Sequence, residues 1–145
     1  MKIKTILLTL ATALLAGCAS QQSVVKLEGA GMKRTFPAPY PEVWKSAVNA
    51  CRHGVLSIAS QDSTNGIIHA ETQTRLDSWG EYVAVWVRRV DDKNTEVEVV
   101  SRRTGPRDFF AYDWERPILN DIAVDFNLPL IPEPPPPPMR PPRSR

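Results

Sequence analysis

Cysteine and histidine are nearly missing from this 145-residue chain, which holds two of each. Neither CxxC nor a Cys/His cluster occurs, so a structural zinc site is excluded. With seven glycines there is no glycine-rich phosphate loop, and GxSxG and HExxH are absent too. Charge of one sign is also lacking. The formal net charge is +2, and removing Lys2 and Lys4 leaves 16 basic against 16 acidic groups. A nucleic-acid partner held by a broad basic surface is thereby excluded. The most apolar stretch, Ile6–Ala16, falls well short of the ~18–20 residues that a permanent bilayer-spanning helix needs. Proline, by contrast, is abundant at one end, with nine in the last seventeen residues. Between these ends lie roughly a hundred residues of ordinary globular composition, enough for one small domain and too few for two.

The N-terminus reads as an export signal. Lys2 and Lys4 give a positive start, Ile6–Ala16 is apolar apart from threonines, and Ala16-Gly17 are small residues at a cleavable position. Leu15-Ala16-Gly17-Cys18 resembles the lipobox of bacterial lipoproteins. That resemblance implies cleavage before Cys18 and lipidation of Cys18. With Ala19 rather than an acidic residue next, it also implies the outer membrane, with the domain in the periplasm. Two or more acyl chains anchor stably, whereas one does not. The other reading is an ordinary secretory signal with a free Cys18. In either case Cys51 is alone in an oxidising compartment, as a buried thiol or paired with another chain. Its place on the apolar face of a helix favours burial.

Four segments follow from the composition: a signal at 1–17, a Ser/Gln/Gly tether at 18–31, a domain at 32–127 and a proline-rich basic tail at 128–145. Within the domain Met32–Phe36 reads as a strand. Pro41–His53 reads as a helix, since Val43, Trp44, Ala47, Val48 and Cys51 share one face and Gly54 is a natural stop. Strands follow at Val55–Gln61, Ile67–Gln73, Glu81–Val90 and Thr95–Arg103, with turns at Ser63–Gly66 and Asp91–Asn94. A second helix over Pro117–Phe126 repeats the spacing with Ile118, Leu119, Ile122, Ala123 and Phe126, and Asn127 and Pro129 end it. The expected fold is α+β, a two-layer sandwich in the order β-α-β-β-β-β-α. Its antiparallel sheet of about five strands carries both helices on one face.

The run Phe36-Pro-x-x-Tyr-Pro-x-x-Val-Trp44, with Gly54-Val-Leu-Ser-Ile58 and Asp62-x-x-x-Gly66-Ile-Ile, resembles small envelope lipoproteins with BamC-like, helix-grip-like domains. The resemblance covers about residues 32–126 and implies a helix crossing the sheet with Trp44 packed on it. It brings no catalytic residue with it.

Function is read mainly by elimination. His53 and His69 have no carboxylate or cysteine in a metal or triad pattern, and Asp91-Asp92 and Asp108…Asp113 fall in turns and loops. The chain is therefore read as non-enzymatic, without metal or cofactor. Strand parity sends Val83, Val85 and Val87 toward the helices, and Tyr82, Trp86 and Arg88 to the opposite face with His69, Ile67, Glu98, Val100 and Arg102. Tyr82, Trp86, Arg88, His69 and Arg102 form the candidate partner-binding face, with Trp86 expected in solvent. The rival reading makes the aromatics cross-strand filler. Arg88, Arg89, Arg102, Arg103 and Arg107 either meet an anionic partner or pair with Glu81, Glu96 and Glu98. In the tail Pro134–Pro138 dictate polyproline II, and Arg140, Arg143 and Arg145 are candidate contacts for an anionic surface. Two functions are carried forward. One is an outer-membrane lipoprotein serving as an interaction or assembly-accessory protein for an envelope protein. The other is a helix-grip module holding an apolar or anionic small ligand in a cavity lined by Trp44, Val48 and Val85.

Overall fold

The computed structural model describes residues 27–72, 80–103 and 113–135. The elements are β1 (Met32–Phe36), α1 (Tyr40–Ala50), β2 (Leu56–Asp62), β3 (Ile67–Thr72), β4 (Glu81–Arg89), β5 (Thr95–Arg103) and α2 (Glu115–Asp125). The strands form one antiparallel sheet in the order β1-β5-β4-β3-β2, and both helices cover one face of it. The fold is the expected α+β two-layer sandwich.

Alternation along β4 and β5 builds the core. Val83, Val85 and Val87 pair with Ser101, Val99 and Val97, while Ile68 and Ala70 on β3 stand opposite Val85 and Val83. Onto this apolar face α1 lays Val43, Ala47, Val48 and Ala50, and α2 lays Ile118, Leu119, Ile122 and Ala123. Phe36 is fully buried at the end of β1 and meets Phe126 with ring centroids 6.0 Å apart. Cys51 is completely buried, and burial pushes its thiol pKa up to about 12.

Both hairpin turns use the same device. Asp62 Oδ1 accepts from the backbone N–H groups of Thr64 and Asn65, and Asp91 Oδ1 from those of Lys93 and Asn94. Asn65 and Asn94 return side-chain N–H bonds to the same carboxylates. Those donors hold both carboxyls below the usual range. Gly66, at φ 68°, lets the turn press against β4, because a Cβ there would lie 2.1 Å from the Val87 carbonyl oxygen.

The ends of the elements differ from expectation in instructive ways. α1 stops at Ala50, not His53. Cys51 caps it, and Arg52 and His53 close with bonds three residues back, to Asn49 and Ala50, before Gly54 turns the chain at φ 69°. α2 ends in a Schellman motif. Asn127 takes φ 53°, its N–H reaches the Val124 carbonyl, and the Leu128 N–H reaches Ala123. Leu128 and Ile131 then pack against the core, and Asn120 exchanges two hydrogen bonds with the Ile131 backbone. The proline-rich segment thus begins docked, and packed structure continues past residue 127. Trp44 is half-buried rather than buried. It packs against the edge of the core and stacks on Tyr40, ring centroids 6.0 Å apart.

Candidate functional site

The face of the sheet opposite the two described helices gathers all five residues of the candidate partner-binding face. Register sets Tyr82 opposite Arg102, Trp86 opposite Ile67 and Glu98, Arg88 opposite Glu96, and His69 opposite Ala84. Parity was therefore a sufficient guide to which side each residue occupies. It was not a guide to exposure.

Trp86 is only 2% exposed, which corrects the expectation that it faces solvent. It forms a second, small apolar cluster with Ala84 and Val100, against which Leu27, Ile67 and Tyr82 pack. Part of its cover is the chain before β1. Residues 27–31, read from sequence as the end of a tether, turn back over this face instead of leaving it.

Glu98 fastens that turn. Its carboxylate is fully buried, and Oε1 accepts from Gly29 N–H at 2.6 Å and Gly31 N–H at 3.1 Å. Oε2 accepts from Arg88 Nη1 at 2.9 Å, with Lys33 Nζ 3.8 Å away. Burial by itself raises a carboxyl pKa, but here the backbone donors and the Arg88 guanidinium outweigh it and hold Glu98 below its ordinary value. Arg88 also bonds Glu28 Oε1 at 2.7 Å and Glu96 Oε1 at 3.3 Å, and lies 6.0 Å from the Trp86 ring centroid.

The remaining candidates are less engaged. Tyr82 and His69 are half-buried, and burial lowers the His69 pKa. Arg102 is exposed. Of the arginine cluster, Arg88 pairs with Glu96 and Glu98 as the pairing reading required, and Arg89 lies over the Tyr40 ring at 5.9 Å. Glu81 instead accepts from the Trp114 indole N–H. Cys18, Arg107, Arg140, Arg143 and Arg145 lie outside the described residues.

Sequence reasoning missed Leu27, Glu28, Gly29 and Gly31 as parts of this face. The one available signal was the pair of glycines flanking Ala30, since glycine marks places where backbone approaches backbone. Two clefts lie elsewhere among the described residues. One, of about 250 Å³, separates α1 from α2 and is lined by residues including Ser46, His53, Asp121 and Asp125. In it Ser46 Oγ bonds Asp125 at 2.5 Å and His53 Nδ1 meets Asp121 at 3.0 Å. Ser46, on α1, and His53, in the turn after it, contact different carboxylates, so they make no nucleophile–base pair. The other, of about 380 Å³, lies beside Tyr40, the Ser63–Gly66 turn and Arg89. Among the described residues no group of three His, Cys, Asp or Glu is placed to hold a metal ion, and no helix is long and apolar enough to cross a membrane.

No family model matches the chain, and no curated protein matches it. Among solved structures it is similar to the di-domain ARO/CYC StfQ from the steffimycin biosynthetic pathway, at 14% identity and a TM-score of 0.48. The match covers 66% of this chain and 44% of that one, so the chain spans less than half of that protein's length.

Proposed function

We propose that this chain is a lipid-anchored, non-enzymatic envelope protein, held in the outer membrane through Cys18, whose periplasmic domain is an interaction or assembly accessory for another envelope protein. The anchor rests on Leu15-Ala16-Gly17-Cys18 after a short apolar run, and the domain type on its resemblance to BamC-like, helix-grip-like lipoproteins. From Cys18 to Leu27 is nine residues, a reach of at most about 30 Å. Arg140, Arg143 and Arg145, beyond the five prolines, are the proposed contact for an anionic surface.

The observation that carries the interaction reading is the apolar character of the face opposite the two described helices. An antiparallel sheet covered on one side ordinarily turns polar residues outward. Here Trp86, Ala84 and Val100 occupy the centre of the outward face, with Leu27, Ile67 and Tyr82 packed against them. A face of that composition, aromatic at the centre and ringed by Arg88, Arg102 and Lys33, is suited to a protein partner. No comparable observation favours the small-ligand reading, because Val48 and Val85 are buried in the same cluster that Trp44 packs against.

Crosslinking in intact envelopes tests the proposal, comparing the wild type with Cys18→Ser. The wild type should sediment with outer membranes and yield a discrete crosslinked protein, and the variant should be released. A variant that still sediments at high salt removes the lipid anchor. A wild type that crosslinks to no protein removes the interaction role.

A further inference from the structure

The turn Leu27–Gly31 fits the sheet too closely to be the loose end of a tether. Gly29 sits at φ 93°, where L side chains rarely go, and a Cβ on Gly31 would lie 2.2 Å from the Val99 carbonyl oxygen. Both glycine N–H groups point at the buried Glu98 carboxylate. Glu28 gives its carboxylate to Arg88, and Leu27 rests on the cluster of Ala84, Trp86 and Val100. The turn thus presents one apolar side chain, one carboxylate and two backbone donors to complementary places on the sheet.

Its hold is nevertheless small. Leu27 is only half-buried and Glu28 is exposed. Short, weakly buried segments of this kind open locally well before a domain unfolds. The cover is also incomplete in chemistry, because the Trp86 indole Nε1 is buried without a hydrogen-bond partner. Buried donors are nearly always satisfied. A tryptophan on this face that lacks an acceptor marks a position the turn does not fill.

We propose that Leu27–Gly31 is a releasable strap over a peptide-binding face centred on Trp86, and that a partner segment with the strap's own chemistry displaces it. That segment carries an apolar side chain, a carboxylate for Arg88 and closely spaced backbone N–H groups for Glu98, and it adds an acceptor for the Trp86 indole. Glu98 decides the class of partner. A buried carboxylate stripped of two donors is costly, so a purely apolar ligand would not replace the strap whereas a peptide would. The inference rests on the interaction reading for the existence of a partner, while strap opening is a property of the purified chain.

Amide hydrogen exchange on the full chain supplies the first test. Gly29 and Gly31 should exchange at least about 100-fold faster than Val85 and Val99, through local opening. Equal rates would make the turn a permanent part of the fold and overturn the proposal. The second test adds the peptide Val-Val-Lys-Leu-Glu-Gly-Ala-Gly, the sequence of residues 24–31, to wild type and to Gly31→Val, whose side chain has no room under Val99. The Trp86 indole resonance, assigned by its loss in Trp86→Phe, reports binding. The open variant should bind at least tenfold more tightly than wild type, and replacing Glu by Lys in the peptide should weaken binding at least tenfold. A folded open variant that does not bind the peptide overturns the proposal. Should Gly31→Val fail to fold, Glu28→Lys, altered at an exposed position, takes its place under the same criterion. Strap opening and peptide binding without any envelope crosslink would sink the interaction role alone. Crosslinking with a strap that never opens would sink this inference alone.

Discussion

Trp86 offers the sharpest check on the covered face, through the pair Trp86→Ala and Trp86→Phe. Truncation to alanine removes a large ring that is 2% exposed, and such losses cost about 3–5 kcal/mol in a closed core. Part of that is returned, because the indole N–H has no partner where it is buried and an unsatisfied donor carries a penalty of about 1–3 kcal/mol. The net expectation for Trp86→Ala is a loss of about 2 kcal/mol. Phenylalanine keeps most of the ring. It leaves a void of about 40 Å³, which at about 24 cal/mol per Å³ costs about 1 kcal/mol, and it removes the unpaired donor. Trp86→Phe should therefore fall between neutral and about 2 kcal/mol more stable than wild type. Urea denaturation with a common m-value measures both. In a domain this small 1 kcal/mol moves Tm by roughly 4–8 °C, so the two variants separate clearly. A Trp86→Ala chain within about 0.5 kcal/mol of wild type would mean that the face is open to water. A loss of more than about 2 kcal/mol in Trp86→Phe would mean that the indole N–H has a strong acceptor.

Two further outcomes follow from single residues. Trp44 is half-buried and stacked on Tyr40, so Trp44→Ala should cost about 1–2 kcal/mol rather than the 3–5 of a sealed core position, and a chain unable to fold after that change would refute the placement. Cys51, raised to about 12 by burial, stays protonated in the folded chain while the unfolded chain ionises near its ordinary value of about 8.5. The unfolded state then binds fewer protons, and stability should fall by up to about 1.4 kcal/mol per pH unit as pH rises from about 9 toward 12. Comparing denaturation curves of wild type and Cys51→Ala over that range isolates the slope, and identical slopes would place the thiol in water.

Much of this fold was legible because it is encoded locally. The helical spacing of Val43, Ala47 and Val48 and of Ile118, Leu119 and Ile122 named the buried stripes directly, and the alternation in Glu81–Arg89 named the buried side of β4. The turns were legible for the same reason, since Asp62 and Asp91 bond backbone groups two and three residues away. Parity also assigned Tyr82, Trp86, Arg88, His69 and Arg102 to one face, because a strand's side chains alternate whatever its neighbours do.

What lies over that face was decided only in three dimensions. The bonds from Gly29 and Gly31 to Glu98 join residues 69 and 67 apart in sequence, and Arg88 meets Glu28 across 60. No periodicity connects such positions. A Gly-Ala-Gly stretch between a polar run and a strand has the composition of a linker, and it becomes a strap only when a buried carboxylate stands where its N–H groups point. The docking of Leu128 and Ile131 arose the same way, after a helix end whose proline-rich sequel reads as free chain. Sequence determined which residues share a face, through local geometry that repeats every two or 3.6 residues. Tertiary structure decided which face is closed to water, because closure depends on segments brought together from opposite ends of the domain.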